Sequence, residues 1–99
     1  MQNAGVSLQD TVQVSENAVF RELDGEAVIL NLETGTYFGL NESGTRMWNL
    51  VQQHGALQKV LEALQQEYNV PPETLREDLL RLVCQLHEKG LLRVTAAQH

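Results

Sequence analysis

Ninety-nine residues make one domain with a single modest core. Thirteen acidic against seven basic residues give a formal net charge of -6, and the scattered basic ones exclude the clustered cationic face that nucleic acid or an anionic membrane selects. A single cysteine, Cys84, excludes a disulfide framework and a cysteine-rich zinc site, and with no secretory pattern or bilayer-length apolar run, a cytoplasmic protein is expected.

Residues 1–10 are polar and without periodicity, which predicts a flexible N-terminal segment before a domain over 11–94 and a flexible tail over 95–99. Residues 11–14 alternate weakly and read as a short strand, followed by a turn at 15–17. Residues 18–23 and 26–32 are strands joined by Asp24-Gly25, a dipeptide suited to a tight hairpin turn. Arg21 and Glu22 interrupt the first of these, as expected of a strand with one solvated face. Glu33-Thr34-Gly35 then leads to a third strand at 36–40, completing an antiparallel meander.

From Asn41 the apolar period becomes helical. Asn41 caps the first helix, and Gly44, Met47, Trp48 and Val51 share a stripe. Gly44 is costly in a first turn and predicts close packing there, with Leu40 a natural neighbour. Gly55 ends this helix. The second helix carries Leu57, Val60, Leu61, Leu64 and Tyr68 on one face but has only Ala56 as its cap. Pro72 fits the first position of a third helix, which runs to about Lys89 and stops at Gly90. Leu75, Leu79, Leu82 and Leu86 form one stripe of it, and Leu80, Val83, Cys84 and His87 a second beside it. Residues 91–94 are an apolar segment expected to pack back on the domain. The fold class is α+β: an N-terminal three-stranded antiparallel sheet followed by three helices, winged helix-turn-helix-like.

No catalytic constellation stands out. Cys84 and His87 are three apart on a helix, the spacing of an imaginable nucleophile pair; the plainer reading, a small core thiol and a rim histidine, is preferred. Two ligands do not close a zinc site, and no nucleotide-binding or zinc-protease motif is present. Glu77 and Asp78 pair naturally with Arg81 on a solvated helix face. Tyr37 and Phe38 point to opposite faces of their strand. Either the third helix merely covers the outward one, or the two floor a groove between strand and helix.

The run DGEAVILNLETGTYFGLN (residues 24–41), followed by Trp48, Gly55, Leu64 with Tyr68, Asp78, Leu86 and the closing KGLL (residues 89–92), resembles the PqqD family. The likeness covers roughly residues 12–94. It implies a non-catalytic recognition element, without cofactor or metal, that binds the leader of a ribosomally synthesised, later modified precursor peptide as an added strand. The leader would be presented to a modifying enzyme, either a radical SAM enzyme, as in pyrroloquinoline quinone synthesis, or a leader peptidase, as in lasso-peptide pathways. By the same resemblance the docking edge is Thr36, Tyr37, Phe38, Gly39 and Leu40, facing a helix wall of Arg76, Leu80, Val83, Cys84 and His87. Ala56 departs from the serine or threonine cap of many relatives, which bears on helix stability alone. A free strand edge also invites pairing of two copies into a homodimer that would compete with the peptide. The rival readings are a winged-helix DNA-binding or regulatory domain, tested by a salt-dependent shift of duplex DNA, and a small thiol enzyme, tested by Cys84→Ser.

Overall fold

The computed structural model describes residues 6–95. Its elements are β1 (Thr11–Val14), β2 (Ala18–Leu23), β3 (Glu26–Asn31), β4 (Tyr37–Gly39), α1 (Glu42–His54), α2 (Leu57–Glu67), α3 (Pro72–Glu88) and β5 (Leu92–Thr95). They form an α+β fold with two antiparallel sheets. One has the order β2-β3-β4, and the other pairs β1 with β5.

The second sheet departs from the expected order of strands first and helices last. The tail 92–95 alternates buried Leu92, exposed Arg93 and half-buried Val94, a period of two that suits a strand. It pairs with β1 in the register Val12↔Val94 and Val14↔Leu92. Neither four-residue strand carries a strong signal alone, and the two lie at opposite ends of the sequence, so local pattern could not join them. Residues 6–10, expected to be flexible, are also seated. Val6 is buried, Asp10 Oδ2 accepts from the Ser7 amide at 2.9 Å, and the Asp10 carbonyl accepts from the Leu57 amide at 3.1 Å. The expectations for residues 1–5 and 96–99 fall outside the described residues.

Within the larger sheet, Ala27, Ile29 and Asn31 point inward along β3 and are buried. Their face rests on α1, which carries buried Met47, Trp48, Leu50 and Val51. Thr45 bonds the two layers, its Oγ1 accepting from the Ala27 amide at 2.8 Å with both residues buried. Trp48 is fully buried and meets the ring of Phe20 edge-on at 5.6 Å, a favoured aromatic geometry. Asn41 caps α1 as its sequence predicts, its Oδ1 accepting from the Gly44 amide at 2.8 Å. A β-carbon on Gly44 would lie 3.3 Å from Leu40 Cδ2, so the glycine lets the end of β4 lie against the helix start.

Helix α2 has no side-chain cap at Ala56 and is held by buried Leu57, Val60, Leu61 and Leu64. Arg46 ties α1 to its far end through a bidentate pair with Glu67, at 2.7 and 2.6 Å. Helix α3 buries Leu75, Leu79, Leu80, Val83 and Leu86. No helix among the described residues is long and apolar enough to cross a membrane.

Candidate functional site

Strand β4 is an edge. Its register with β3 is Val28↔Gly39, Ile29↔Phe38 and Leu30↔Tyr37. The Asn31 amide donates to the Thr36 carbonyl and the Leu40 amide to the Ala27 carbonyl, each at 2.8 Å. In an antiparallel ladder the bonded pairs alternate. Thr36, Phe38 and Leu40 therefore face β3, and the backbone groups of Tyr37 and Gly39 face away from the sheet. Two N–H and two C=O groups are thus presented along an edge that no strand among the described residues pairs with. Among the described residues nothing lies within 4 Å of where a β-carbon on Gly39 would sit, so the outer face of the strand is uncovered there.

Phe38 shares the inner face with Ile29 but is only half-buried, while Tyr37 stands on the outer face, 71% exposed. Beside Phe38 opens a cleft of about 380 Å³ between the β4–α1 corner and α3. Phe38, Leu40, Gly44, Met47 and Leu82 supply its apolar lining, and Asn41, Ser43, Asp78, Arg81 and Gln85 its polar groups. Asp78 and Arg81 form an ion pair at 3.1 Å within α3, both side chains well exposed, so the pair is screened by solvent and contributes little to stability.

A second hollow, of about 330 Å³, lies between the β3–β4 turn and the end of α3. Asn31, Glu33, Thr34 and Thr36 line one side, and Glu88, Lys89 and Gly90 the other. Glu88 lies about one turn beyond Gln85, so the second hollow sits further along the same side of α3, at its C-terminal end.

The helix wall inferred from the sequence is not the wall of this cleft. Leu80 and Val83 are buried in the core, Cys84 is half-buried, and Arg76 and His87 are exposed elsewhere on the helix. His87 lies on the β5 side, its Nδ1 3.2 Å from the Leu92 carbonyl. At about 100° per residue the inferred wall and the observed stripe are centred nearly half a turn apart. The apolar arc of α3 has two margins, and β5 covers the one the sequence assigned to the groove. Leu82, read as core, occupies the other margin with Asp78, Arg81 and Gln85. On the strand side, Phe38, Gly39 and Leu40 do line the cleft, Thr36 lines the second hollow, and Tyr37 points away. The cost of a glycine at position 44 was the sequence signal that something packs at this corner.

Burial pushes the Cys84 thiol above its ordinary value, and the Glu88 carboxylate adds to the shift. Both effects disfavour the thiolate, the form a nucleophile needs. Among the described residues no three His, Cys, Asp or Glu side chains group so as to hold a metal ion.

Residues 26–92 match the family model described as Coenzyme PQQ synthesis protein D (PqqD). No curated protein sequence matches the chain. Among solved structures, the chain is similar to TbiB1 in complex with the TbiA(beta) leader peptide. The identity is 36%, with a TM-score of 0.77 over 82% of this chain and 94% of that one. It is also similar in fold to lasso peptide synthetase B1 complexed with the leader peptide, at 22% identity and a TM-score of 0.75, covering 84% of this chain and 98% of that one.

Proposed function

The chain belongs to the PqqD family, and we propose that it captures the leader segment of a ribosomally made precursor peptide as a strand added to the edge of β4. The observation that carries this reading is the outward-facing backbone of Tyr37 and Gly39 beside an apolar cleft. An extended peptide there gains main-chain hydrogen bonds whatever its sequence, and its alternate side chains enter the cleft to be read. The similar TbiB1 structure is itself a complex with a leader peptide.

Magnitudes divide the labour between edge and cleft. Four main-chain hydrogen bonds at about 1 kcal/mol net each fall short of the roughly 8 kcal/mol that micromolar affinity requires. The apolar floor formed by Phe38, Leu40, Met47 and Leu82 supplies the remainder and offsets the ordering of the peptide. The edge provides generic affinity, and the cleft provides selection.

In this reading the docking edge is Thr36, Tyr37, Phe38, Gly39 and Leu40, and the helix wall is Asp78, Arg81, Leu82 and Gln85. The protein binds and presents, and the bond-making belongs to a partner enzyme in the cytoplasm, a leader peptidase or a radical SAM enzyme. Pairing of two copies through β4 would use the same backbone groups, so self-association and peptide capture compete.

An amide-resolved NMR titration with synthetic leader peptides, from small open reading frames beside the gene, tests this. Shifts are expected in residues 36–40 and 78–85. A folded, monomeric sample that shows no shift with any such leader refutes it.

A further inference from the structure

We propose that Asn31 is a positioning residue for the peptide groove: its carboxamide holds the end of α3 against the β3–β4 turn and so sets the separation of strand edge and helix wall. This rests on the peptide-binding reading above. Asn31 is the last residue of β3, on its inner face and only 3% exposed. Its Oδ1 accepts from the Glu33 amide at 2.9 Å and from the Thr34 amide at 3.3 Å, shaping the turn that launches β4. Its Nδ2 reaches the opposite wall, donating to the Lys89 carbonyl at 3.0 Å and the Gly90 carbonyl at 3.5 Å. A carboxamide has two donor hydrogens and two acceptor lone pairs, and this one spends its donors on the helix end and its acceptors on the turn.

The fit is close enough to dictate the neighbouring residue. Gly90 has φ +73°, and a β-carbon there would lie 2.8 Å from Asn31 Nδ2. Glycine therefore serves both the left-handed backbone and the approach of the carboxamide. The backbone of Asn31 fixes the turn independently, donating to the Thr36 carbonyl and accepting from the Gly35 amide, each at 2.8 Å. The side chain is thus the part that couples turn to helix. At the other end of the groove the Asp78–Arg81 pair closes within α3 itself, so that pair makes no tie to the strand.

Loosening this clamp moves Leu82 and Gln85 away from a bound strand but leaves the outward groups of Tyr37 and Gly39 in place. Selection by the cleft is lost, while main-chain pairing remains.

The test compares N31D with wild type. An aspartate keeps the acceptor for the two turn amides but sets an oxygen against the carbonyls of Lys89 and Gly90. Where N31D does not fold, Asn31→Ser serves, since its short hydroxyl caps the turn without reaching α3. Val60→Ala, buried in α2, controls for general destabilisation. Binding of the neighbouring-frame leader peptides and of the TbiA(beta) leader is measured by titration calorimetry, at a temperature where circular dichroism shows each variant folded. Each peptide is used with its native sequence and with its large cleft-facing side chains cut to alanine. Wild type is expected to lose affinity steeply on that truncation. The Asn31 variant is expected to bind the native peptide about tenfold more weakly and to be nearly indifferent to truncation, with V60A within about twofold of wild type on both counts. A folded Asn31 variant with wild-type affinity, or with the wild-type response to truncation, overturns the positioning role and leaves the peptide-binding reading standing. A folded wild type that binds none of these peptides overturns both.

Discussion

Ile29 and Phe38 stand directly opposite each other on neighbouring strands, yet Ile29 is sealed and Phe38 is only half-buried. Between these two side chains the core ends and the cleft begins. Truncating each should therefore be read by a different instrument. Ile29→Val should lower unfolding free energy by about 1 kcal/mol and leave peptide affinity unchanged. Phe38→Ala should weaken leader binding about tenfold, roughly the loss of one apolar side chain's contact, in addition to its own stability cost, since Phe38 also packs against the core. Urea unfolding and calorimetric titration on both variants check this, and equal effects on binding would contradict it.

Gly39→Pro should separate the edge from the cleft. The Gly39 amide faces away from β3 in the ladder, so its loss removes no bond within the sheet. Proline is accepted on edge strands whose N–H faces solvent. The variant is expected to fold and to lose a main-chain donor together with close approach of the peptide. Leader binding should fall by at least about tenfold, with circular dichroism unchanged. A folded proline variant that binds normally would place the added strand elsewhere.

The wall of α3 gives the sharpest contrast. Leu82→Ala cuts back the apolar part of the cleft and should reduce leader affinity about tenfold, read at a temperature where circular dichroism shows the variant folded, since Leu82 also packs against the core. Arg76→Ala and His87→Ala, exposed and off the cleft, should stay within about twofold of wild type. The reverse outcome would restore the wall that the helical pattern suggested.

That contrast also shows where the sequence stops being readable. The hairpin turn at Asp24-Gly25, the Asn41 cap, the Pro72 start and the third strand itself were all legible, because each rests on local chemistry or a short period, whereas the docking role of that strand's edge came only from the family resemblance. The β1–β5 pair was not, since Val12↔Val94 is a contact between chain ends and neither segment announces its partner. The phase of α3 was not legible either. Its apolar arc is wide enough that Leu80 and Leu82 both look like margins, and only the packing of β5 against the helix decides which margin is covered. Asn31 looked like an ordinary strand residue, because both of its side-chain partners across the groove lie nearly sixty positions away, at Lys89 and Gly90.

The Arg46–Glu67 pair gives the fold a pH dependence whose sign follows from its geometry. Hydrogen bonding to the Arg46 guanidinium, opposed in part by desolvation and aided by its charge, holds the Glu67 carboxyl below its ordinary value of 4.5. A carboxyl that is more acidic in the folded chain than in the unfolded one stabilises the fold above the unfolded value. That contribution fades as pH falls through the folded value. The bidentate geometry favours the pair, but the side chains are 40% and 35% exposed, and solvent screening keeps the effect near 0.5 kcal/mol. Glu67→Gln should therefore be less stable than wild type by about 0.5 kcal/mol at pH 7, with the gap closing as the solution is acidified below pH 4.5. Urea unfolding of both proteins across that range measures it. A gap that holds constant in acid would mean the loss at Glu67 does not come from its charge.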